Sequence, residues 1–387
     1  MAIAVALILI VAGSVLFHLA SPWWTTPLAS NWGSIDGMLQ LTLLITGGFF
    51  VVLNAFLVWT LLRYRHRERG PNVVRSPGEL HAAYRPDNKR LERMLIIGTA
   101  VGIAALLAPG LFVYAEYVRP PEGALVMEVL GQQWKWAYRF AGADGRFGGV
   151  DPRFVGASNP LGLDPKDAAG VDDLIVPGDE VHVPLGRPVK VLLRSNDVLH
   201  DFYVPPFRAR MNIVPGTVTS FWFTPTVTGR FEVLCAQLCG VGHYNMRGFV
   251  VVDQPAAFDR WLAAQTTFAA VQHLATAVAT ATPANADPLV ARGQALAQSK
   301  GCTACHTIDG STGVGPTWKG LLGKTERFVD GSSARLDANA LRHDIREPAA
   351  RVAQGFAPVM PKTELSDAEL DALIAYIGAQ GGAAASR

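Results

Sequence analysis

The hydrophobic positions of this chain are concentrated in two long runs near its N-terminus. Met38–Leu62 is a run of 25 residues without a charge, and Met94–Ala115 is a second run of 22. Both exceed the roughly 18–20 apolar residues that a helix needs to cross a bilayer, and neither shows the polar stripe of a buried core helix. The pattern therefore predicts a transmembrane hairpin over residues 38–62 and 94–117.

A third apolar run, residues 1–20, precedes the hairpin. It has no Lys or Arg before its apolar core, whereas a secretory signal peptide has a basic n-region. Trp23 and Trp24, which follow it, are typical of an interfacial anchor. We expect an uncleaved additional helix over residues 1–22, with a cleaved signal segment as the alternative.

Basic residues predict the orientation of the hairpin. Residues 63–93, between the two runs, carry nine Lys or Arg, whereas residues 21–37 carry none. Because basic loops stay on the cytoplasmic side, the connector is expected inside and everything after about Val118 outside. The net charge of +2 gives no indication of nucleic-acid binding, and no motif for it is present.

After Ala124 the pattern changes to short runs of β-forming residues separated by turn signals such as Pro177-Gly178 and Pro215-Gly216. This spacing predicts an all-β sandwich over residues 120–254. A Gly/Asp/Pro-rich stretch, residues 141–172, is predicted to be a long loop after the first strand. The predicted strands are Leu125–Leu130, Glu180–Pro184, Val189–Arg194, Val218–Phe223, Gly229–Leu234 and Phe249–Asp253.

The C-terminal third predicts helices. Residues 255–286 are interpreted as a helix, over 255–272, followed by the Ala/Thr-rich linker His273–Ala286. From Asp287 a small all-α domain is expected to extend to residue 387, with its last helix opening on a capping box of Ser366 and Glu369. Its predicted helices are Leu289–Ser299, Ala338–Ile345 and Ser366–Gly378.

All four cysteines lie in patterns that suit cofactors. Cys235 and Cys239 belong to CAQLCGVGHYNM (235–246), which also contains His243 and Met246. Two thiolates, an imidazole and a thioether form a soft ligand set suited to copper in electron transfer. His200, at the end of a predicted strand, is a candidate second imidazole. A structural disulfide is the alternative, but it would need neither His243 nor Met246.

The other two cysteines lie in CTACH (302–306), the spacing that attaches a c-type haem. Cys302 and Cys305 would form the thioether bonds, and His306 would be the proximal iron ligand. A thioether as distal ligand raises the haem potential. Met360, in a loop before the last helix, is the expected distal ligand, because the alternatives Met127, Met211 and Met246 belong to the β domain. The segment 315–318 (GPTW) resembles the loop around the proximal histidine of class I cytochromes c.

Residues 38–253 resemble subunit II of the haem–copper oxidases, in which two membrane spans precede a cupredoxin domain. The resemblance implies a Greek-key sandwich holding the binuclear copper centre CuA. With the haem-binding tail, the chain resembles a caa-type oxidase subunit, in which an all-α class I cytochrome c domain is fused to the cupredoxin domain. The implied CuA ligands are His200, Cys235, Gln237 (by its carbonyl), Cys239, His243 and Met246.

Two further residues acquire roles from this resemblance. Trp134, in GQQWKWAYRF (131–140), resembles the residue through which electrons reach the copper centre. The alternative is that Trp134, Trp136 and Tyr138 lie on one face of a strand as ordinary packing residues. Glu92 resembles the glutamate at the mouth of a proton channel into subunit I. Its alternative is an acid stabilised by the positive end of a helix dipole.

The sequence departs from the family pattern at two positions. The family usually has Glu at the position of Gln237, where the carboxylate helps to hold magnesium, and many members have Asp at the position of Asn212. The copper contact needs only the backbone carbonyl of Gln237. We therefore expect the copper site to be retained and no tightly bound magnesium to be contributed by this subunit.

The implied function is that of an electron-input subunit of a respiratory terminal oxidase. Electrons would pass from an external donor, such as a soluble cytochrome c, through haem c and CuA to subunit I, coupled to proton translocation. Subunits I and III are the implied partners, and the bacterial plasma membrane, with both cofactor domains on the periplasmic side, is the implied location. The spans contain no series of histidines for oxygen chemistry, so that site is expected in subunit I.

Two other functions remain open at this point. A CuA-containing nitric oxide reductase shares this subunit plan and differs in subunit I. A membrane-tethered electron carrier or copper-delivery protein belongs to another class, but a delivery protein has no need for a covalent haem.

Overall fold

The structure is a computed structural model that describes residues 2–20, 26–64, 87–156, 159–176, 178–281, 287–311 and 313–381. The chain divides into two compact units, Met1–Arg119 and Pro120–Arg387, and each is described by itself.

The first unit consists of the helices α1 (Ala2–Ala20), α2 (Gly33–Arg63) and α3 (Lys89–Tyr117). All three are long and apolar enough to cross a membrane, which confirms the helical hairpin and the third apolar helix that the hydropathy predicts. Trp23, Trp24 and most of the basic connector lie outside the described residues. The orientation and the retention of α1 stay predictions.

Polar groups within this unit have local partners. Asn54 of α2 is buried, and its Nδ2 donates a hydrogen bond to the Phe50 carbonyl at 2.8 Å. Such a bond matters in a bilayer, where no water can satisfy an amide. At the start of α3, the Asn88 side chain accepts a hydrogen bond from the Leu91 amide at 3.1 Å, as an N-cap residue does.

The second unit begins with a sandwich of two sheets. Its strands are β1 (Leu125–Gln132), β2 (Lys135–Phe140), β3 (Leu174–Val176), β4 (Glu180–Pro184), β5 (Val189–Ser195), β6 (His200–Val204), β7 (Ala209–Ile213), β8 (Thr219–Phe223), β9 (Gly229–Cys235) and β10 (Arg247–Asp253). One sheet contains β3-β2-β1-β5-β8 in that order, and the other contains β4-β10-β9-β6-β7. The six predicted strands are confirmed to within two residues at each end.

Strand β1 has no solvent-facing side over most of its length. It pairs with β2 in antiparallel and with β5 in parallel orientation, and its residues from Met127 to Gly131 are all buried. One of its faces contacts the core of the sandwich, where Phe202 and Phe221 are fully buried. The other face is covered by residues of the covering segment, 141–156 and 159–173. This segment lies between β2 and β3 and therefore follows the first hairpin, not the first strand as predicted.

The covering segment is held by apolar and ionic contacts. Leu161 and Leu163 pack with Leu130, Ile175 and Phe268 in a small buried cluster.

Beside this cluster lies Arg139, of which only 2% is exposed. Its guanidinium donates to Glu128 and to Asp173, each at 2.7 Å, and to the Gly148 carbonyl at 3.1 Å. Asp173 also accepts a hydrogen bond from the Gly148 amide at 3.0 Å. The ionic group therefore fixes the covering segment to β1 and β2.

Burial raises the pKa of Asp173 to about 6, although Arg139 and the Gly148 amide act to lower it. A folded-state pKa above the usual 3.8 contributes stability below about pH 4 that is lost as the pH rises through 6. We expect the sandwich in the full-length subunit to unfold at a lower temperature at pH 7 than at pH 5, by fluorescence-detected melting. Asp173→Asn should flatten this slope and lower the stability at pH 7, because Arg139 loses a buried partner.

Asp151→Asn is the matched control. Its exposed carboxyl is hydrogen-bonded to Arg153, which lowers the pKa of Asp151 to about 2, so this variant should keep the slope between pH 5 and pH 7. An unchanged slope in Asp173→Asn would contradict the prediction.

After β10 the chain returns to the sandwich, whereas the sequence predicted a helix over 255–272 followed by a linker over 273–286. It forms α4 (Pro255–Ala263), β11 (Thr266–Thr267) and α5 (Phe268–Ala281). Strand β11 pairs with β3 at the edge of the first sheet, and Phe268 is 2% exposed. The predicted linker His273–Ala286 is therefore helical as far as Ala281, because its alanines favour a helix even without an apolar period. Residues 282–286 lie outside the described residues.

The remainder of the chain is mainly helical: α6 (Pro288–Ser299), a short hairpin of β12 (Thr325–Arg327) and β13 (Ser333–Arg335), α7 (Ala338–Arg346) and α8 (Asp367–Ala379). The three predicted helices are confirmed, and the hairpin is an addition that the pattern did not predict. The capping box is also confirmed, because the Ser366 hydroxyl accepts from the Glu369 amide and the Glu369 carboxylate accepts from the Ser366 amide. Buried side chains of α8, including Leu370 and Tyr376, form the core with Trp318.

Candidate functional site

The six predicted copper-binding positions come together at one end of the sandwich. Cys235 is the last residue of β9, and Cys239, His243 and Met246 follow in the loop to β10. His200 is the first residue of β6, whereas the sequence predicted a position at the end of the preceding strand. Strands β6 and β9 are hydrogen-bonded neighbours, which brings His200 to the loop.

The donor atoms are closely spaced. The two sulfurs, Cys235 Sγ and Cys239 Sγ, are 3.7 Å apart. His200 Nδ1 lies 3.9 Å from Cys235 Sγ, and His243 Nδ1 lies 3.6 Å from Cys239 Sγ. The Gln237 carbonyl is 3.2 Å from Cys235 Sγ, and Met246 Sδ is 3.9 Å from Cys239 Sγ. Each sulfur is therefore accompanied by one imidazole and one weaker donor.

Backbone contacts fix the loop that carries these donors. The Cys235 amide donates to the Met246 carbonyl at 3.2 Å, which closes the loop at its base. The Ala236 amide donates to the Asp201 carbonyl at 3.1 Å, which attaches the loop to β6 beside His200. The ligand positions therefore do not depend on a disulfide, and both cysteines are free thiols.

Without a metal, the buried thiols and His200 compete for protons. Burial raises the pKa of Cys235 by itself, but hydrogen bonds with His200 and the neighbouring backbone outweigh it and lower that pKa to about 6. Burial lowers the pKa of His200, but hydrogen bonds with Asp197 and Cys235 raise it to about 9. Burial and the Cys235 charge raise the pKa of Cys239 to about 12. A metal must therefore displace protons from Cys239 and His200.

The donor set fits copper. Thiolate and thioether sulfur with imidazole nitrogen is the combination that copper electron-transfer sites use. His200 and Cys239 are almost completely buried, and a dry site of this kind suits electron transfer.

Trp134 lies against the ligand loop, but not on a strand face. It occupies the turn between β1 and β2, and its Nε1 donates to the Cys239 carbonyl at 3.2 Å. A Cβ at Gly242 would come within 2.3 Å of the Trp134 ring, so the indole packs directly on the loop backbone. Trp136, by contrast, is a buried strand residue whose ring lies edge-on to His200 at 6.5 Å.

The sequence reasoning missed two residues near the donors. Asp197 is hydrogen-bonded to His200. The sequence feature that could have identified it is an acidic residue three positions before a candidate ligand. Arg210 donates to the buried Asp201 at 3.0 Å and to the Ala236 carbonyl at 3.4 Å, which braces the ligand loop. That contact had no sequence signal, because it joins residues from two different strands and the loop.

The CTACH segment (302–306) begins with a short 3-10 turn, Cys302–Ala304, two residues after the end of α6. His306 Nδ1 donates to the Pro316 carbonyl at 2.7 Å, and the imidazole stacks on Trp318 at 5.2 Å. Burial lowers the pKa of His306, against the opposing effect of the Pro316 bond. The imidazole is therefore neutral, with its proton on Nδ1, and Nε2 carries the lone pair that an iron ligand requires. A Cβ at Gly315 would lie 2.6 Å from this ring.

The residues of this segment fit a haem. Cys302 and Cys305 are free thiols and half-buried. Met360 lies in the irregular segment between α7 and α8, where 39% of it is exposed.

Comparison with known proteins identifies both parts of the second unit. Residues 125–254 match the family model of the cytochrome c oxidase subunit II periplasmic domain, and residues 290–380 match that of cytochrome c. The alternative cytochrome c oxidase subunit 2 of Bradyrhizobium diazoefficiens is 50% identical over 269 residues, which cover 70% of this chain and 94% of that protein. The chain belongs to the cytochrome c oxidase subunit 2 family.

Two more relatives extend the comparison. The cytochrome c oxidase subunit 2 of Alkalihalophilus pseudofirmus is 24% identical over 349 residues, covering 88% of this chain and 85% of that protein. The crystal structure of the periplasmic domain of subunit II of cytochrome oxidase from Bradyrhizobium japonicum covers 38% of this chain and 95% of its own, with 26% identity and a TM-score of 0.28.

Membership of this subunit 2 family gives the protein's general role. It is an electron-input subunit of a cytochrome c oxidase, an oxidoreductase complex. Its subunit 2 domain implies copper, and its cytochrome c domain implies haem. The three apolar helices favour membrane insertion, and the matched domain is periplasmic in its family.

The remaining predicted residues of this oxidase subunit have these positions. Glu92 is exposed in the first turn of α3, which is compatible with both the proton-channel role and the helix-dipole alternative. Asn212 is exposed on β7, opposite Asp201 of β6.

Proposed function

We propose that this subunit takes electrons from an external donor, such as a soluble cytochrome c, through covalent haem c to binuclear CuA and on to subunit I. In this proposal oxygen reduction in subunit I is coupled to proton translocation. The observation that carries it is the pairing of the two thiolates, 3.7 Å apart, with one histidine each.

This pairing favours two copper ions over one. His200 and the Gln237 carbonyl approach Cys235, whereas His243 and Met246 approach Cys239. The two cysteines, each with a histidine and a weaker donor beside it, would hold the two ions. When bound, the centre would supply one-electron transfer with little structural change. The proposed ligands are His200, Cys235, Gln237 (carbonyl), Cys239, His243 and Met246.

The haem would be held by residues of the 287–387 domain. Cys302 and Cys305 would form its thioether bonds, His306 Nε2 its proximal bond, and Met360 its distal bond. The Pro316 carbonyl orients His306 and increases its basicity, as the outer partner of a ligating histidine does.

Trp134 is proposed as the residue through which electrons reach the copper centre, since its indole nitrogen donates to the Cys239 carbonyl. Glu92 is proposed to lie at the entrance of a proton channel in subunit I, and subunit III is a further proposed partner. The proposed location is the bacterial plasma membrane, with residues 120–254 and 287–387 on the periplasmic side. Because all the relatives compared above are cytochrome c oxidase subunits, we prefer oxygen to nitric oxide as the terminal acceptor.

The fused haem is expected to serve as an internal donor. Only the five residues 282–286 lie between the end of α5 and Asp287 in the chain, and covalent linkage makes the encounter of two sites intramolecular. The rate of copper reduction from haem c should therefore not change when the complex is diluted. Flash photolysis over a hundredfold range of enzyme concentration tests this, and a rate proportional to concentration would overturn the internal route.

A further inference from the structure

One side chain outside the proposed ligand set contacts both functional parts of the copper site. Asp197 lies in the turn between β5 and β6, three residues before His200. Its side chain is 24% exposed, whereas that of His200 is fully buried. Its two carboxylate oxygens have different partners, and each partner leads to a different part of the site.

The first oxygen orients His200. Asp197 Oδ1 lies 2.8 Å from His200 Nε2, and a carboxylate can only accept a hydrogen bond. Nε2 therefore carries the proton, and Nδ1, which lies 3.9 Å from Cys235 Sγ, presents its lone pair to the thiolates. A carboxylate behind a ligating imidazole fixes its tautomer and increases its basicity.

The second oxygen holds the turn that carries Trp134. Asp197 Oδ2 accepts a hydrogen bond from the Gln133 amide at 2.7 Å. From the same turn, Gln133 Nε2 and Trp134 Nε1 donate to the Cys239 carbonyl, at 2.8 and 3.2 Å. The turn is thus attached at one end to Asp197 and at the other to the second cysteine.

Asp197 is itself held in place. Its Oδ1 accepts further hydrogen bonds from the Val198 amide at 2.7 Å and the Ser195 hydroxyl at 3.2 Å. These contacts fix the carboxylate, so it can fix its two partners.

We propose that Asp197 is a positioning residue that presents Nδ1 of His200 to the copper centre and holds Trp134 on the ligand loop. One carboxylate thereby couples the geometry of a metal ligand to that of the electron-input residue. This inference rests on the proposed roles of His200 and Trp134.

The test compares Asp197→Ala and Asp197→Asn in the full-length subunit. Alanine removes both contacts, whereas asparagine has one accepting oxygen and can retain only one of them. For Asp197→Ala, copper affinity, measured by competition with a chelator, should fall roughly 10- to 100-fold. The reduction potential should rise, because a negative charge behind His200 is lost, and the copper EPR hyperfine pattern should change. Asp197→Asn, which loses the same charge but can retain one hydrogen bond, should raise the potential to a similar extent and lower the copper affinity less.

Asp179→Asn is the matched control. Asp179 Oδ1 accepts a hydrogen bond from the Trp136 amide at 2.9 Å. Trp136 lies on β2, the strand that follows the Trp134 turn. This variant should keep the copper affinity, the potential and the EPR pattern of the unmodified subunit.

A measurement on the unmodified subunit covers the case in which the alanine variant does not fold. The His200 Nε2 proton should exchange slowly with solvent in NMR spectra of the copper form, and fast exchange would overturn the proposal. Unchanged affinity, potential and EPR pattern in both variants would also overturn it, while leaving the proposed function intact. If the unmodified subunit binds no copper at Cys235 and Cys239, the proposed function fails first.

Discussion

Replacing His306 by alanine is expected to reduce haem-dependent electron transfer into the oxidase to near zero, with the copper absorption unchanged. His306 is half-buried, and its Nδ1 donates a hydrogen bond to the Pro316 carbonyl, so its Nε2 is the nitrogen available to iron. Stacking on Trp318 fixes its orientation. In the described part of the haem domain the other histidine is His343, which lies half-exposed on α7. Stopped-flow reduction of the purified complex and its near-infrared copper band measure the two effects.

His343→Ala is the control and should retain full electron transfer. Because the proposed copper ligands lie in the sandwich and the proposed haem ligands lie after residue 287, the two proposed sites share no ligand. Loss of the near-infrared band in His306→Ala would show that the two centres are not assembled independently. Full electron transfer in that variant would remove the haem from the route.

Gly293→Ala is expected to destabilise the haem domain by about 3 kcal/mol, the upper part of the range for overpacking. A Cβ at this position of α6 would lie 1.9 Å from the Ala372 carbonyl and 2.7 Å from Tyr376 Cβ, both on α8. A backbone carbonyl cannot rotate away as a side chain can, so the two helices would have to separate. A small domain with a total stability of roughly 5–15 kcal/mol would lose a large share of it.

Gly378→Ala is the matched control, because it also adds one methyl group to a helix of this domain. Its Cβ would meet only the Leu322 side chain, at 2.9 Å, which can move, and alanine favours the helix by about 1 kcal/mol over glycine. Denaturant titration of the full-length subunit, followed by haem absorption, should show an early transition for Gly293→Ala alone. Equal transitions in the two variants would refute the prediction.

Several features of the fold follow from local sequence. The apolar runs predicted the membrane helices because helix length and hydropathy are properties of consecutive residues. The ends of β4 and β10 were predicted within two residues, because turn signals are also local. The run His273–Ala281 was misinterpreted as a linker, since its alanines carry helix propensity without the apolar period on which the prediction depended.

The candidate sites divide in the same way. The sequence by itself determined most of the candidate ligands, because those of each site are close together in the chain. One group lies at the end of β9 and in the loop after it, and the other in one short segment: Cys235, Cys239, His243 and Met246, and Cys302, Cys305 and His306. Only the tertiary structure decided that His200 stands beside Cys235, that Trp134 lies in a turn on the ligand loop, and that Asp197 joins the two. Contacts within a loop are fixed by spacing along the chain, whereas contacts between strands depend on sheet order and register, which bring together residues such as Gln133 and Cys239 that are 106 positions apart.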